Sequence, residues 1–448
     1  MLSKLAGQKI SDALRIGALV GLLAVVAGCN TTSGGQPTNV PTGTAPPIAA
    51  PTIMPTEVAA TAEVASPTIP AAETPTELAS SPTTPPDPTP VVINTPAPTM
   101  SVGDLQWKQV GLGGNNVTDL SFISQGSNVV VLAAGPKGVW TGTYDYSQWD
   151  KHDVAMAEEA RNAEADVASD QVMYVTSHTG CPSGLPSARS RSTDGGKSWQ
   201  EMSGEAMTIA VANATTAYGA KCSGLNKTTD SGATWADLSV TTQSSDPISL
   251  AASPDGQMVY AAYISEGGTG QIMMSKDGGA TWSDVTPRNV PQEGFLAPGH
   301  LTFLPGSEGR PDEGGLYLTN NEGVWFLPLD SGDWKLMTKS NLPTSPEGTF
   351  SNFTALFVDA AYSAEYDKPG AILYTARAES TIDKLLGQGV YRSADMGTTW
   401  QSVGTGLEQH VVNSLALIPY DSSSGRVETL LAATDDGIWA LTLPPSSR

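Results

Sequence analysis

The sequence predicts an all-β chain whose folded part is a single seven-bladed propeller, and three observations carry that expectation. An acidic, glycine-centred turn ending in tryptophan occurs four times: "RSTDGGKSW" at 191–199, "KTTDSGATW" at 227–235, "MSKDGGATW" at 274–282 and "RSADMGTTW" at 392–400. Each copy closes a unit of β-branched or aromatic runs parted by short glycine-containing gaps, as in "TAYGAKCSGLNKTTDSGATW". Alternation of period two between Gly, Asp and Ser punctuation reads as hairpins of antiparallel strand. The third observation is a count of tryptophans. Trp107, Trp149, Trp199, Trp235, Trp282, Trp334 and Trp400 recur 36 to 66 residues apart, a repeat that with four strands per unit makes propeller blades. Gly and Pro interrupt almost every window of helix length, which argues against a helical fold.

The elements follow in order. The innermost strand of each blade is read from "VTDLSFIS", a weak "EADVAS", "MTIAVA", "PISLAAS", "HLTFLP", "TALFVD" and "NSLALIP". In the second blade, "VAMAEEARNAEADVASD" also fits a short helix. Two turns are degraded, "TYDYSQW" at 143–149 and "LDSGDW" at 329–334, yet a Gly-Val-Trp strand start precedes each, at Gly138 and Gly323. The last unit ends as "TDDGIWALTL", a third strand without a fourth. "DLQWKQV" around Trp107 supplies that fourth strand, so the ring closes with the N-terminal strand and leaves no open sheet edge.

Ahead of this domain (104–448) lie two segments of other character. Lys4, Lys9 and Arg15 form a basic region, interrupted by Asp12, before "IGALVGLLAVVAGC", an apolar run too short for a good membrane span. Residues 1–28 therefore read as a signal peptide. From Asn30 to about Gly103 there is no Lys or Arg, and Pro, Thr, Ala and Ser dominate. Such a chain buries too little apolar surface to offset its ordering entropy, so 29–103 is expected to be a disordered Pro/Thr-rich stalk. At about 3.1 Å per residue, polyproline II would carry it roughly 200 Å.

The formal charge is −22. Removing residues 1–28 takes away Lys4, Lys9, Arg15 and Asp12, a change of −2, to −24. Nucleic acid and anionic lipid surfaces are poor partners for such a chain. Cys181 and Cys222 are the two cysteines after Cys29. An even pair outside the cytoplasm reads as a disulfide, with two buried thiols as the other reading.

Val26-Ala27-Gly28-Cys29 resembles the bacterial lipobox, which implies lipidation of Cys29 and a chain held at the extracytoplasmic face of a bacterial membrane; an ordinary secretory signal is the alternative. The Ser-x-Asp-x-Gly-x-Thr-Trp turn resembles the Asp-box (BNR) repeat, and its copies span 104–448. In architecture the domain is most similar to photosystem II assembly-factor-like and sortilin-like propellers. The resemblance implies a structural role for Ser192, Asp194, Gly196 and Trp199, for Asp230, Gly232 and Trp235, for Ser275, Asp277, Gly279 and Trp282, and for Ser393, Asp395, Gly397 and Trp400. The residue types require it too. Asp accepts backbone N–H bonds in a tight turn, Gly takes a positive φ, and Trp packs as a plate with its N–H at the edge.

Ligands of propellers usually bind the face made by the connections between strands two and three and from strand four to the next blade. Long loops fall there, at 150–164, 178–187, 283–300, 335–352 and 378–388. His152, Asp153, Arg288, His300, Lys384 and His410 are the candidate binding residues on that face. Sialidases share the motif, but they have six blades and an arginine in an Arg-Ile-Pro stretch near the domain start. Here the only arginine between Trp107 and Arg189 is Arg161, in "EARNAE". Xyloglucan-type glycosidases place catalytic aspartates between two propellers, and this chain has room for one. Asp435 and Asp436, adjacent in a strand, would point to opposite faces. The four histidines lack metal-ligand spacing, and neither Gly-x-Ser-x-Gly nor a phosphate loop occurs. The expected function is non-enzymatic binding or assembly with an extracytoplasmic protein or glycan, by a monomer needing no cofactor or metal. Glycoside hydrolysis is the alternative.

Overall fold

The computed structural model describes residues 102–443 apart from loop segments, the longest being 289–297, 307–313, 343–349 and 360–370. Residues 1–101, on which the expected signal peptide, Cys29 and the expected stalk fall, lie outside the described residues. Among the described residues the only helical piece is a 3-10 turn, Val102–Asp104, and the stretch that also fitted a helix in the second blade holds a strand instead.

Strand β1 (Lys108–Gly111) comes first. Blade 1 is β2 (Asp119–Gln125), β3 (Asn128–Gly135), β4 (Gly138–Thr143) and β5 (Trp149–His152). Blade 2 is β6 (Asn162–Val167), β7 (Met173–His178), β8 (Ser187–Ser192) and β9 (Gln200–Met202). Blade 3 is β10 (Ile209–Val211), β11 (Ala217–Lys221), β12 (Gly224–Thr228) and β13 (Ala236–Leu238). Blade 4 is β14 (Asp246–Ala252), β15 (Val259–Ile264), β16 (Gly270–Ser275) and β17 (Ser283–Asp284). Blade 5 is β18 (Leu301–Leu304), β19 (Gly315–Thr319), β20 (Val324–Pro328) and β21 (Lys335–Leu336). Blade 6 is β22 (Phe350–Asp359), β23 (Ile372–Ser380), β24 (Leu385–Ser393) and β25 (Gln401–Ser402). Blade 7 is β26 (Val412–Ser422), β27 (Gly425–Thr434) and β28 (Gly437–Leu443), completed by β1. The chain is thus an all-β, seven-bladed propeller of four-stranded antiparallel sheets. β1 pairs with β28, Lys108 opposite Ala440, and closes the ring.

Position within a blade decides how each strand is buried. Second strands are covered on both faces by neighbouring blades, so β15 (VYAAYI), β19 (GLYLT) and β23 (ILYTARAES) are buried along their whole length. They carry near-continuous apolar runs, whereas alternation would mark a sheet with one wet face. Fourth strands lie at the rim, short and exposed, as in β17 and β25.

The core divides into seven apolar clusters, one per blade interface. Between blades 6 and 7, Trp107, Tyr374, Leu415, Leu430 and Leu441 pack together. The contact between blades 2 and 3 is the thinnest, with Val172, Tyr174, Ile209 and Ala217 as its buried apolar residues. At the centre of the ring, polar side chains tie the inner strand of one blade to that of the next at four of the junctions. Asp119 Oδ2 accepts the Ala165 N–H at 3.0 Å, and Asp166 Oδ2 accepts the Val211 N–H at 2.9 Å. Ser249 Oγ accepts the Leu301 N–H at 3.1 Å, and Asn413 Nδ2 donates to the Val117 carbonyl at 2.8 Å across the closure. Inner strands have a free edge, and these bonds satisfy part of it.

Candidate functional site

The four acidic turns are one object built four times, each joining the third strand to the fourth. In the second blade the Ser192 hydroxyl accepts the Gly196 N–H at 2.8 Å and donates to Asp194 Oδ1 at 2.8 Å. Asp194 then accepts the Ser198 N–H at 2.8 Å on Oδ1 and its hydroxyl at 2.5 Å on Oδ2. Thr228 with Asp230, Ser275 with Asp277, and Ser393 with Asp395 repeat the pattern, with the N–H bond at 2.8 Å each time. The bonds from Ser198, Thr234 and Thr281 pull the carboxyls of Asp194, Asp230 and Asp277 down to about 2. Each turn needs two consecutive residues at positive φ. The second is always glycine: Gly196, Gly232, Gly279 and Gly397. The first accepts Ser231 and Met396 as well as Gly195 and Gly278. Both oxygens of each aspartate are committed within its own turn.

Trp199, Trp282 and Trp400 turn the indole N–H onto the carbonyl of the turn glycine, at 3.1, 3.0 and 3.1 Å. Trp235 departs from this: its Nε1 is buried without a partner, and its ring lies under the Arg189 guanidinium at 4.0 Å.

Cys181 and Cys222, in the connections between second and third strands of blades 2 and 3, are joined as a disulfide with Cα atoms 5.6 Å apart. On the same face His410 sits with its Nδ1 3.3 Å from Asp435 Oδ1 and its ring 4.9 Å from Trp439. Its carbonyl abuts Gly387 of β24, where a Cβ would lie 1.8 Å away, so only glycine lets this loop settle. Lys384, Arg288, Asp153 and His300 are exposed. His300 still reaches Asp119, on the inner strand of blade 1, electrostatically. Burial raises the Asp119 pKa, and the Ala165 N–H and the His300 imidazole offset part of that rise.

Two sequence expectations are corrected by position. His152 is not in a loop: it ends β5 and turns into the interface with blade 2, Nε2 2.8 Å from Thr141 Oγ1 and ring 6.2 Å from Trp199. Desolvation there lowers its pKa. Among the described residues no hydrogen bond or ring contact joins His152 to His410, which pairs with Asp435 and Trp439 instead. Asp435 and Asp436 form the β27–β28 turn rather than part of a strand, and Asp436 Oδ1 accepts the Gly114 N–H at 2.6 Å.

Sequence reading missed three sites of strong perturbation. Glu164 and Asp166, on β6, are pushed up to about 8 and about 7, chiefly by burial, with the Asp119 charge adding to both. His178 is driven down to about 4 by burial. Arg189 on β8 was passed over as well. Setting the four turns in register would have exposed it: three residues before the turn hydroxyl stand Arg189, Leu225, Ile272 and Val390. Among the described residues no group of His, Cys, Asp and Glu is arranged to hold a metal ion.

Fold and site together define a propeller whose acidic turns are closed by their own hydrogen bonds and whose exposed candidate side chains Arg288, His300 and Lys384 lie in loops. No family model matches the chain. In sequence it is 26% identical over 359 residues to a xyloglucanase of Paenibacillus sp, a match covering 66% of this chain and 32% of that enzyme. The chain thus spans about a third of the length of that curated relative. In structure it is similar to YCF48 bound to a D1 peptide, with TM-score 0.50 and 16% identity over 78% of this chain and all of that one. A GH74 xyloglucanase from Xanthomonas campestris superposes at TM-score 0.45 and 20% identity, covering 75% of this chain and 44% of that chain.

Proposed function

We propose that this chain is a lipid-anchored extracytoplasmic module that binds a protein or glycan partner without catalysing a reaction on it. One observation carries the reading: the carboxylates at the turns and at the centre of the ring are held in structural bonds. The turn aspartates are spent within their turns, Asp119 and Asp166 on the N–H groups of neighbouring inner strands, and Glu164 on Thr208 and the Ile209 backbone. A general acid needs a raised pKa and an open path to substrate, and these groups are tied down. The exposed Arg288, His300 and Lys384 are carried instead on loops of a rigid ring, the usual arrangement for recognition. A propeller of the same fold with a bound peptide supports such use of the scaffold. The anchor rests on the lipobox at Val26–Cys29. Among the described residues no helix is long and apolar enough to cross a membrane.

The xyloglucanase match favours one second reading, hydrolysis of a β-glucan. Incubating the chain with xyloglucan separates the two. Binding without release of reducing ends above a heat-inactivated control supports the module, whereas turnover abolished by substituting one loop carboxylate establishes the hydrolase. The anchor is tested by Cys29→Ala, which is expected to shift the chain from the membrane fraction to the soluble one. Retention after a salt wash would show that Cys29 is not the anchor.

A further inference from the structure

The interface between blades 2 and 3 differs from the other six. Its apolar core is the thinnest, the disulfide bridges it on one face, and towards the rim it opens into a cleft of about 620 Å³. Arg189, Arg191, Lys221, Gln200, Asn226 and Trp235 line that cleft.

Arg189 stands where the other three blades with intact turns carry Leu225, Ile272 and Val390, and all four residues are at most 2% exposed. The fold therefore accepts an aliphatic side chain here. A buried guanidinium in its place carries a desolvation cost that an opposite charge would normally offset. Its hydrogen-bond acceptors are uncharged: Asn226 Oδ1 at 3.5 Å and the Ser203 carbonyl at 3.2 Å. The Arg189 Nε and the Trp235 indole N–H, both buried, have no acceptor. Gly219 keeps the space open, since a Cβ there would lie 2.5 Å from Asn226 Oδ1 and 3.2 Å from Arg189 Nη1. Two further cations line the cleft. Arg191 donates to the Ser231 carbonyl at 2.6 Å, and Lys221 pairs with Asp237 at 2.7 Å, a carboxylate that is 73% exposed. Three cations thus face Glu201 and Asp237 in a chain of formal charge −22.

We propose that this cleft binds a carboxylated sugar, a uronate, through its planar carboxylate. A guanidinium presents parallel N–H donors that match a carboxylate. Gln200, Asn226, Thr234 and the Ser203 carbonyl supply the donors and acceptors that ring hydroxyls require. The volume lies within the range of about 300–1,000 Å³ common for small-ligand sites. An acidic peptide, which arginine clusters also recognise, is the competing occupant; the cleft is lined mainly by polar side chains that suit ring hydroxyls, with Met202, Ala233 and Trp235 as its apolar residues. None of the candidate loop residues His152, Asp153, Arg288, His300, Lys384 and His410 lines the cleft, so its test is separate from that of the loops.

Isothermal titration of the full chain with digalacturonate, and with its dimethyl ester as the uncharged control, tests the assignment. The acid is expected to bind and the ester not to. Arg191→Gln and Lys221→Gln are each expected to weaken binding about tenfold, as loss of a charge-assisted bond does. Asp237→Asn, which frees Lys221, is expected to tighten it. Arg189→Leu, which installs the aliphatic residue of the other blades, is expected to abolish binding while raising the melting temperature. If that variant fails to fold, Arg191→Gln and Lys221→Gln decide alone. Failure of the native chain to bind the acid, equal affinity for acid and ester, or binding indifferent to Arg191→Gln and Lys221→Gln would each overturn the proposal. Binding of a polyglutamate peptide in place of the sugar, lost in the same variants, would overturn the sugar assignment.

Discussion

Ser192 is 1% exposed, and its hydroxyl accepts from Gly196 while donating to Asp194. Ser192→Ala leaves the Gly196 N–H buried without a partner, so the domain is expected to lose about 1–2 kcal/mol in denaturant unfolding. Asp194→Ala, Asp277→Ala and Asp395→Ala are expected to lower the melting temperature without changing ligand affinity below it, which differential scanning and a binding isotherm on the same samples would check. The two classes of carboxylate respond to pH in opposite directions. Asp194, Asp230 and Asp277 ionise near 2 in the folded chain, so their contribution is present above about pH 4 and lost as pH falls through 2. Glu164 keeps its proton to about pH 8 against an ordinary value of 4.5. Between those values the native state binds the extra proton, so this contribution is full below about 4.5 and is lost as pH rises through 8. Asp166, raised to about 7, adds to the same window. Glu164→Gln is therefore expected to flatten the decline in stability between pH 5 and pH 8, read from urea midpoints. An unchanged slope would mean that Glu164 ionises normally.

At the scale of elements, the strands and their grouping were legible because the acidic turn is a fixed local device. Its Ser, Asp and Gly bond to one another within nine residues, so its sequence survives wherever the geometry does. Blade 1 shows the limit: in "TYDYSQW" Asp145 still accepts from Thr143 at 2.5 Å and from the Ser147 N–H at 3.2 Å, although the glycine is gone. What could not be read from periodicity was the placement of side chains across blades. His152 looked like a loop residue because β5 is four residues long, and Arg189 looked unremarkable because its burial comes from a neighbouring blade. The bridge between Cys181 and Cys222 belongs to this scale as well. It closes a separation of 41 residues across the interface with the fewest buried apolar residues. Cys181→Ser is expected to cost about 3 kcal/mol by freeing the unfolded chain. Hydrogen exchange should then rise first in β7, β8, β11 and β12, the strands flanking the bridge, and a uniform rise over all blades would show that it stabilises the ring only globally.

A propeller as a whole is stable only as a closed ring, because each blade buries its second strand against two neighbours and an open ring leaves two such faces wet. Closure here joins the two ends of the domain. β1 pairs with β28, and Trp107, 5% exposed, packs with Leu415, Leu430 and Leu441 while its Nε1 donates to the Val403 carbonyl at 2.8 Å. Next to this, Asn413 and the Val117 carbonyl join the inner strands of blades 7 and 1. Two perturbations grade the contribution of the seam. Trp107→Ala keeps the strand pairing but removes the plate, and is expected to cost about 3–5 kcal/mol, the usual range for a buried Trp. Deleting 104–110 removes β1 residues as well and exposes the edge of β28, which is expected to lower the melting temperature further and to promote aggregation through that edge. Deleting 31–95, whose Pro/Thr-rich composition can bury little apolar surface, should leave the melting temperature within a degree or so. Equal melting of the two deletions would show that another strand closes the ring in solution.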